Sequence, residues 1–94
     1  MKLQIGNDAY VIHWRHEQQE WQVKGIIMRG ATRCIVKING GNESGGLTFE
    51  GTAYCSAKEP MYIKAKGRKA SLTRALELVP REIRAEIWKG YLNL

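Results

Sequence analysis

The sequence predicts an α+β protein: an antiparallel sheet of about five strands, followed by two C-terminal helices packed on one face. Three observations predict it. Apolar and polar residues alternate through much of positions 1–56, which is the period of a strand with one buried side. The connections between these stretches are too short for parallel crossovers. In the last third the apolar period lengthens to three and four, the stripe of a packed helix. The 94 residues are expected to form a single domain, with 1–56 as a β-meander and 61–93 as the helical part. A chain of this length hides only about 60–65% of its unfolded surface, so its core is thin.

The elements follow in order. "LQI" (Leu3–Ile5) opens as a short strand, and Gly6-Asn7-Asp8 is turn chemistry. "AYVIHWRHE" puts Tyr10, Ile12, Trp14 and His16 on one face and Val11, His13 and Arg15 on the other. "EQQE" is a polar connection. "WQVKGIIMR" carries Trp21, Val23 and Ile27 in one phase, with Gly25 read as a bulge and Gly30 as a turn. "ATRCIVKIN" separates Cys34, Val36 and Ile38 from Arg33 and Lys37. "GGNESGG" (Gly40–Gly46) is a hairpin tip. "LTFEGTAYC" turns Leu47, Phe49, Ala53 and Cys55 inward and Thr48, Glu50, Thr52 and Tyr54 outward. Leu72, Ala75, Leu76 and Val79 form the first helix stripe. Gly67 marks either that helix's start or a close backbone approach. Pro80 sets up the second helix, with Ile83, Ile87 and Tyr91 as its stripe, Trp88 beside it, and Glu82 in its first turn.

Charge narrows the partners. Fifteen Lys and Arg against nine Asp and Glu give +6 and a pI of about 9.6. That balance favours phosphates, acidic protein surfaces or anionic lipid. Nine of the fifteen cations lie between Lys58 and Lys89, and 61–76 holds five with no acid. No hydrophobic run approaches the length of a membrane span. The N-terminus lacks the layout of a signal peptide, and two cysteines fit a reducing compartment.

Candidate chemistry is sparse. His13, His16, Cys34 and Cys55 lack the close ligand pairing of a zinc site. His13 and His16 also fall on opposite strand faces. Cys34 and Cys55 share the core phase, where an unbridged cysteine acts as a small hydrophobe. Cys55 precedes a basic stretch, as a thiolate nucleophile would, but plugging the sheet–helix junction is much the favoured reading. Gly40–Gly46 lacks the lysine and helix of a phosphate-cradling loop. No catalytic residue, metal or cofactor is assigned, and no enzyme is expected. The candidate phosphate- or partner-binding residues are Lys64, Lys66, Arg68, Lys69, Arg74, Arg81 and Arg84. Lys64 and Arg68 are four apart and share one side of a helix. Tyr62, Trp88 and Tyr91 are candidate aromatic contacts, since arginine forks beside stacking faces suit single-stranded nucleic acid or a nucleotide. The bland alternatives are a solvated basic helix face and aromatics packed in the core. Trp14 and Trp21 fit the core phase, or a hot-spot patch if turned outward.

The C-terminal half resembles a group of small bacteriophage proteins with a shared tail pattern. The pattern here is Gly51-Thr-Ala53-Tyr-Cys55, then Tyr62, Lys64, Gly67-Arg68, Ser71-Leu72-Thr-Arg74-Ala75-Leu76, and Arg84, Ile87, Trp88 and Tyr91. Glu59, Pro60 and Met61 depart from the usual link. Some similar phage proteins block host defence, including anti-CRISPR proteins and a nucleotide-sequestering Thoeris inhibitor. The resemblance implies a non-enzymatic anti-defence protein acting in the cytoplasm of an infected bacterium. The leading expectation is an anti-CRISPR protein that meets a defence effector complex of protein and RNA through its basic surface and blocks target DNA. The alternatives are a sponge for a cyclic signalling nucleotide, with a homodimer holding the ligand, and a small non-specific nucleic-acid-binding accessory. No membrane partner is expected.

Overall fold

The structure, a computed structural model, describes residues 1–18, 21–56 and 63–94. Its elements are β1 (Lys2–Ile5), β2 (Asp8–Glu17), β3 (Trp21–Val23), β4 (Ile26–Ile38), β5 (Leu47–Ser56), α1 (Lys64–Ala75) and α2 (Arg81–Leu92), with a 3-10 turn at Asn42–Ser44. Every strand pairing is antiparallel. β4 organises the sheet. β2 pairs with its residues 31–38 and β3 with its residues 26–28. β5 runs along the opposite edge, from Ser56 beside Met28 to Leu47 beside Ile38. β2 and β3 therefore follow one another along one edge, and β1 lies outside β2. Five strand segments thus make four lanes, a minor difference from the expected sheet of about five strands. No helix among the described residues is long and apolar enough to cross a membrane.

Two local readings change. Val23 pairs with Ile26, so Lys24 and Gly25 make the whole reversal. Their φ values of 52° and 79° are both positive, as a two-residue type I′ hairpin requires. Gly25 is thus a turn residue and not a bulge. The register shift lies later: Met28 pairs with Ser56 and Gly30 with Cys55, leaving Arg29 as the extra residue. Gly30, read as a turn, is buried inside β4. A glycine beside a bulge lets the strand bend without ending.

Alternation then fills one face. Tyr10 and Ile12 from β2 and Cys34 and Val36 from β4 meet Leu72, Ala75, Leu76, Val79 and Ile87 from the helical part. Each large apolar side chain here contributes roughly 1.5–3 kcal/mol by leaving water. α1 lies very close to the sheet, and two glycines permit it. A Cβ on Gly51 would overlap the Ala75 nitrogen and the Ser71 carbonyl oxygen, and one on Gly67 would overlap Thr32 Oγ1. Gly67 therefore marks a close approach, and α1 begins before it, at Lys64. The molecule is a slab, 43 × 29 × 19 Å. On the other sheet face His13, Arg15, Arg33, Lys37 and Glu50 are exposed.

Candidate functional site

α1 begins against its own electrostatics. Ile63 at the N-cap supplies no side-chain hydrogen bond, and the first turn holds no acid. Lys64 and Lys66 stand there instead, exposed to solvent. A helix N-terminus carries partial positive charge, so each cation there costs about 0.3–1 kcal/mol. Lys69 is exposed one turn on, and Arg68 is half-buried.

The side chains beneath register this charge. His16 lies on the inward face of β2, with Nδ1 3.0 Å from Thr32 Oγ1. Burial pushes the His16 pKa below its ordinary 6.5, and Lys64 and Arg68 push it further down. Those two cations, four apart on α1, therefore share the end of the sheet where β2 carries His16. The helix is held there by its backbone. Trp14 Nε1 donates to the Arg68 carbonyl at 3.2 Å, and Ser71 Oγ donates to the same carbonyl at 3.1 Å.

The remaining candidates separate. Arg74 is exposed, but its guanidinium donates to the Thr52 carbonyl of β5, tying α1 to the sheet. Arg81 is exposed in the first turn of α2 beside Glu82. Arg84 is half-buried, and its Nε is buried without a hydrogen-bond partner among the described residues. Arg84, Trp88 and Tyr91 are spaced four and three apart, which puts them on one row of α2. Trp88 and Tyr91 pack against the core cluster, as does Trp14. The Trp88 and Tyr91 rings meet edge-on at 5.6 Å, and Trp14 meets Tyr91 at 5.8 Å, tilted by 51°. Tyr62 lies outside the described residues, and so does the side chain of Trp21.

The thiols and imidazoles are dispersed. Cys34 pairs with Gly51 and Cys55 with Gly30, so they sit at different levels of the sheet. Burial pushes the Cys34 thiol up to about 12, which leaves little thiolate at neutral pH. Among the described residues no group of three or more His, Cys, Asp or Glu comes together as a metal site would need.

Two features lie outside the residues singled out by sequence. Arg15 and Arg33 stand directly opposite each other on β2 and β4, on the sheet face away from the helices. Like charges so paired are destabilising. Alternation put both in the outward phase, but their pairing depends on a register that alternation does not carry. The second feature is a groove between the β4–β5 tip and the link from α1 to α2, lined by Asp8, Tyr10, Phe49, Val79 and Ile83 among others. Turn composition at Asp8 was its one sequence signal, since Asn39 was read as the end of a strand. No protein-family model, curated protein or solved structure matches the chain.

Proposed function

We propose that this protein is a phage-encoded, non-enzymatic inhibitor of bacterial immunity: an anti-CRISPR protein that docks on an effector ribonucleoprotein through α1 and keeps target DNA out. The observation that carries the contact chemistry is the acid-free start of α1, where Lys64, Lys66, Arg68 and Lys69 gather within two turns. The anti-defence setting rests on the resemblance of the tail pattern. Amides at a helix N-terminus and lysines beside them both favour a phosphate. An anion bound there would remove the repulsion that the first turn carries. Inhibition of this kind needs surface complementarity and exclusion, which a slab 19 Å thick can supply without catalytic groups.

The test uses the exposed lysines, because Arg74 is committed to β5. The variant Lys64→Glu/Lys66→Glu/Lys69→Glu is expected to fold and to lose co-purification with guide RNA and effector from a lysate, together with protection of phage in a CRISPR-immune host. A folded variant that still protects phage overturns the reading.

One observation favours the nucleotide sponge as a second reading. Arg84 Nε, without a hydrogen-bond partner among the described residues, lies on the same helix row as Trp88 and Tyr91, and a buried unsatisfied donor calls for a partner. A cyclic nucleotide phosphate would satisfy it. Calorimetry with cyclic adenine nucleotides separates the two readings: saturable binding that Arg84→Lys weakens supports the sponge, and no heat removes it.

A further inference from the structure

We propose that the groove between the β4–β5 tip and the α1–α2 link binds a small molecule with an apolar body and an ammonium head. Its cavity volume is about 380 Å³, within the range of small-ligand sites. Ile38, Phe49, Val79 and Ile83 supply apolar walls, and Asp8 and Asn39 stand among them. No lysine or arginine is among the described residues that line the groove, although the chain carries fifteen.

The carboxylate is held in place. Asn39 adopts a left-handed backbone, φ 52°, which is uncommon for a residue with a side chain. Its N–H donates to the Ala9 carbonyl at 2.8 Å, and its Oδ1 accepts from the Ala9 N–H at 2.9 Å. With Oδ1 so occupied, the amide Nδ2 must point the other way, and it donates to Asp8 Oδ1 at 2.8 Å. Oδ2 is then the oxygen offered to a ligand. Tyr10, 2% exposed, forms part of the same wall. Burial raises the Tyr10 pKa, and the Asp8 charge raises it further, which puts phenol and carboxylate in one neighbourhood.

The ligand class follows from this arrangement. A carboxylate favours a cationic donor over a neutral one, because charge-assisted hydrogen bonds are roughly twice as strong. An anion would meet Asp8 unfavourably. The overall +6 charge opposes a cation at long range, so the selectivity has to be local. Tyr10 and His16 are six positions apart along β2, roughly 20 Å, so this site stands or falls independently of the α1 surface.

The experiment is a two-dimensional amide NMR titration with three probes of one shape: phenethylammonium, phenethyl alcohol and phenylacetate. Phenethylammonium is expected to shift the amides of Asp8, Asn39, Val79 and Ile83 saturably. The alcohol is expected to bind about fivefold or more weakly, and phenylacetate not at all. Asp8→Asn keeps an oxygen for Asn39 to bond. It is expected to bring the ammonium down to the alcohol's affinity and leave the alcohol unchanged. The absence of saturable ammonium shifts in the wild type overturns the proposal, as does equal binding of phenylacetate. Unchanged ammonium affinity in a folded Asp8→Asn protein does the same. Should Asp8→Asn fail to fold, the wild-type ranking of the three probes decides.

Discussion

His16 is the most informative single residue, because it reports both packing and charge. Its pKa lies below 6.5 through burial, Lys64 and Arg68. Between the folded and unfolded pKa values the unfolded chain binds more protons, so stability falls as pH drops below about 6.5. The urea midpoint is expected to be lower at pH 5 than at pH 7, and His16→Gln is expected to shrink that difference. A phosphate held by Lys64 and Arg68 works the other way. RNA binding is expected to raise the His16 pKa in a proton NMR titration, and an unmoved pKa would place the RNA elsewhere. Trp14 offers a second check. Trp14→Phe removes the bond to the Arg68 carbonyl and is expected to cost about 1 kcal/mol in urea denaturation. Alternation in the sequence had already turned Trp14 and His16 inward. It held no sign that the indole reaches a helix carbonyl far along the chain, because that contact depends on where α1 crosses the sheet.

At the scale of elements the decisive fact is how closely α1 lies on β4 and β5. Gly51→Ala and Gly67→Ala are each expected to destabilise the fold by roughly 1–3 kcal/mol, read from urea midpoints. Gly67→Ala should also disturb the Thr32 hydroxyl that meets His16, so the His16 titration should move in that variant and not in Gly51→Ala. The order of sheet and helices was legible from period alone, and most of the inward set of β2, β4 and β5 followed from alternation, except that Leu47, read as inward, is 56% exposed at the end of β5. What failed was punctuation. Lys24-Gly25 makes a reversal without the Asn-Gly or Asp-Gly pair that usually announces one. Gly30 carries the turn residue's composition but serves a bulge. Glycine marks both, and the choice between them is made by how β4 pairs with β3 and with β5, which local sequence does not contain.

For the whole molecule, charge is the property most open to measurement. Binding of labelled single-stranded RNA is expected to weaken steeply with salt, with a log–log slope near −0.7 for each phosphate contacted. The triple lysine-to-glutamate variant is expected to flatten that slope by about two to three such contacts. Its thermal stability should hold or rise, because glutamates suit the α1 N-terminus better than lysines. The basic character of the helical part was visible in the sequence, since it needed only counting. The groove at Asp8 and the facing pair Arg15 and Arg33 were not, because each joins segments that only the folded sheet brings together. The central place of β4 has one more result. Its connection to β5 is the glycine-rich tip, and the chain before that tip holds Tyr10, Ile12, Cys34 and Val36, while the chain after it holds Leu72, Ala75, Leu76, Val79 and Ile87. Neither half has a core without the other. Severed at the tip, the two pieces are expected to lose structure apart and to regain it on mixing, which circular dichroism would read as a split reporter whose signal is the recovery of its own fold.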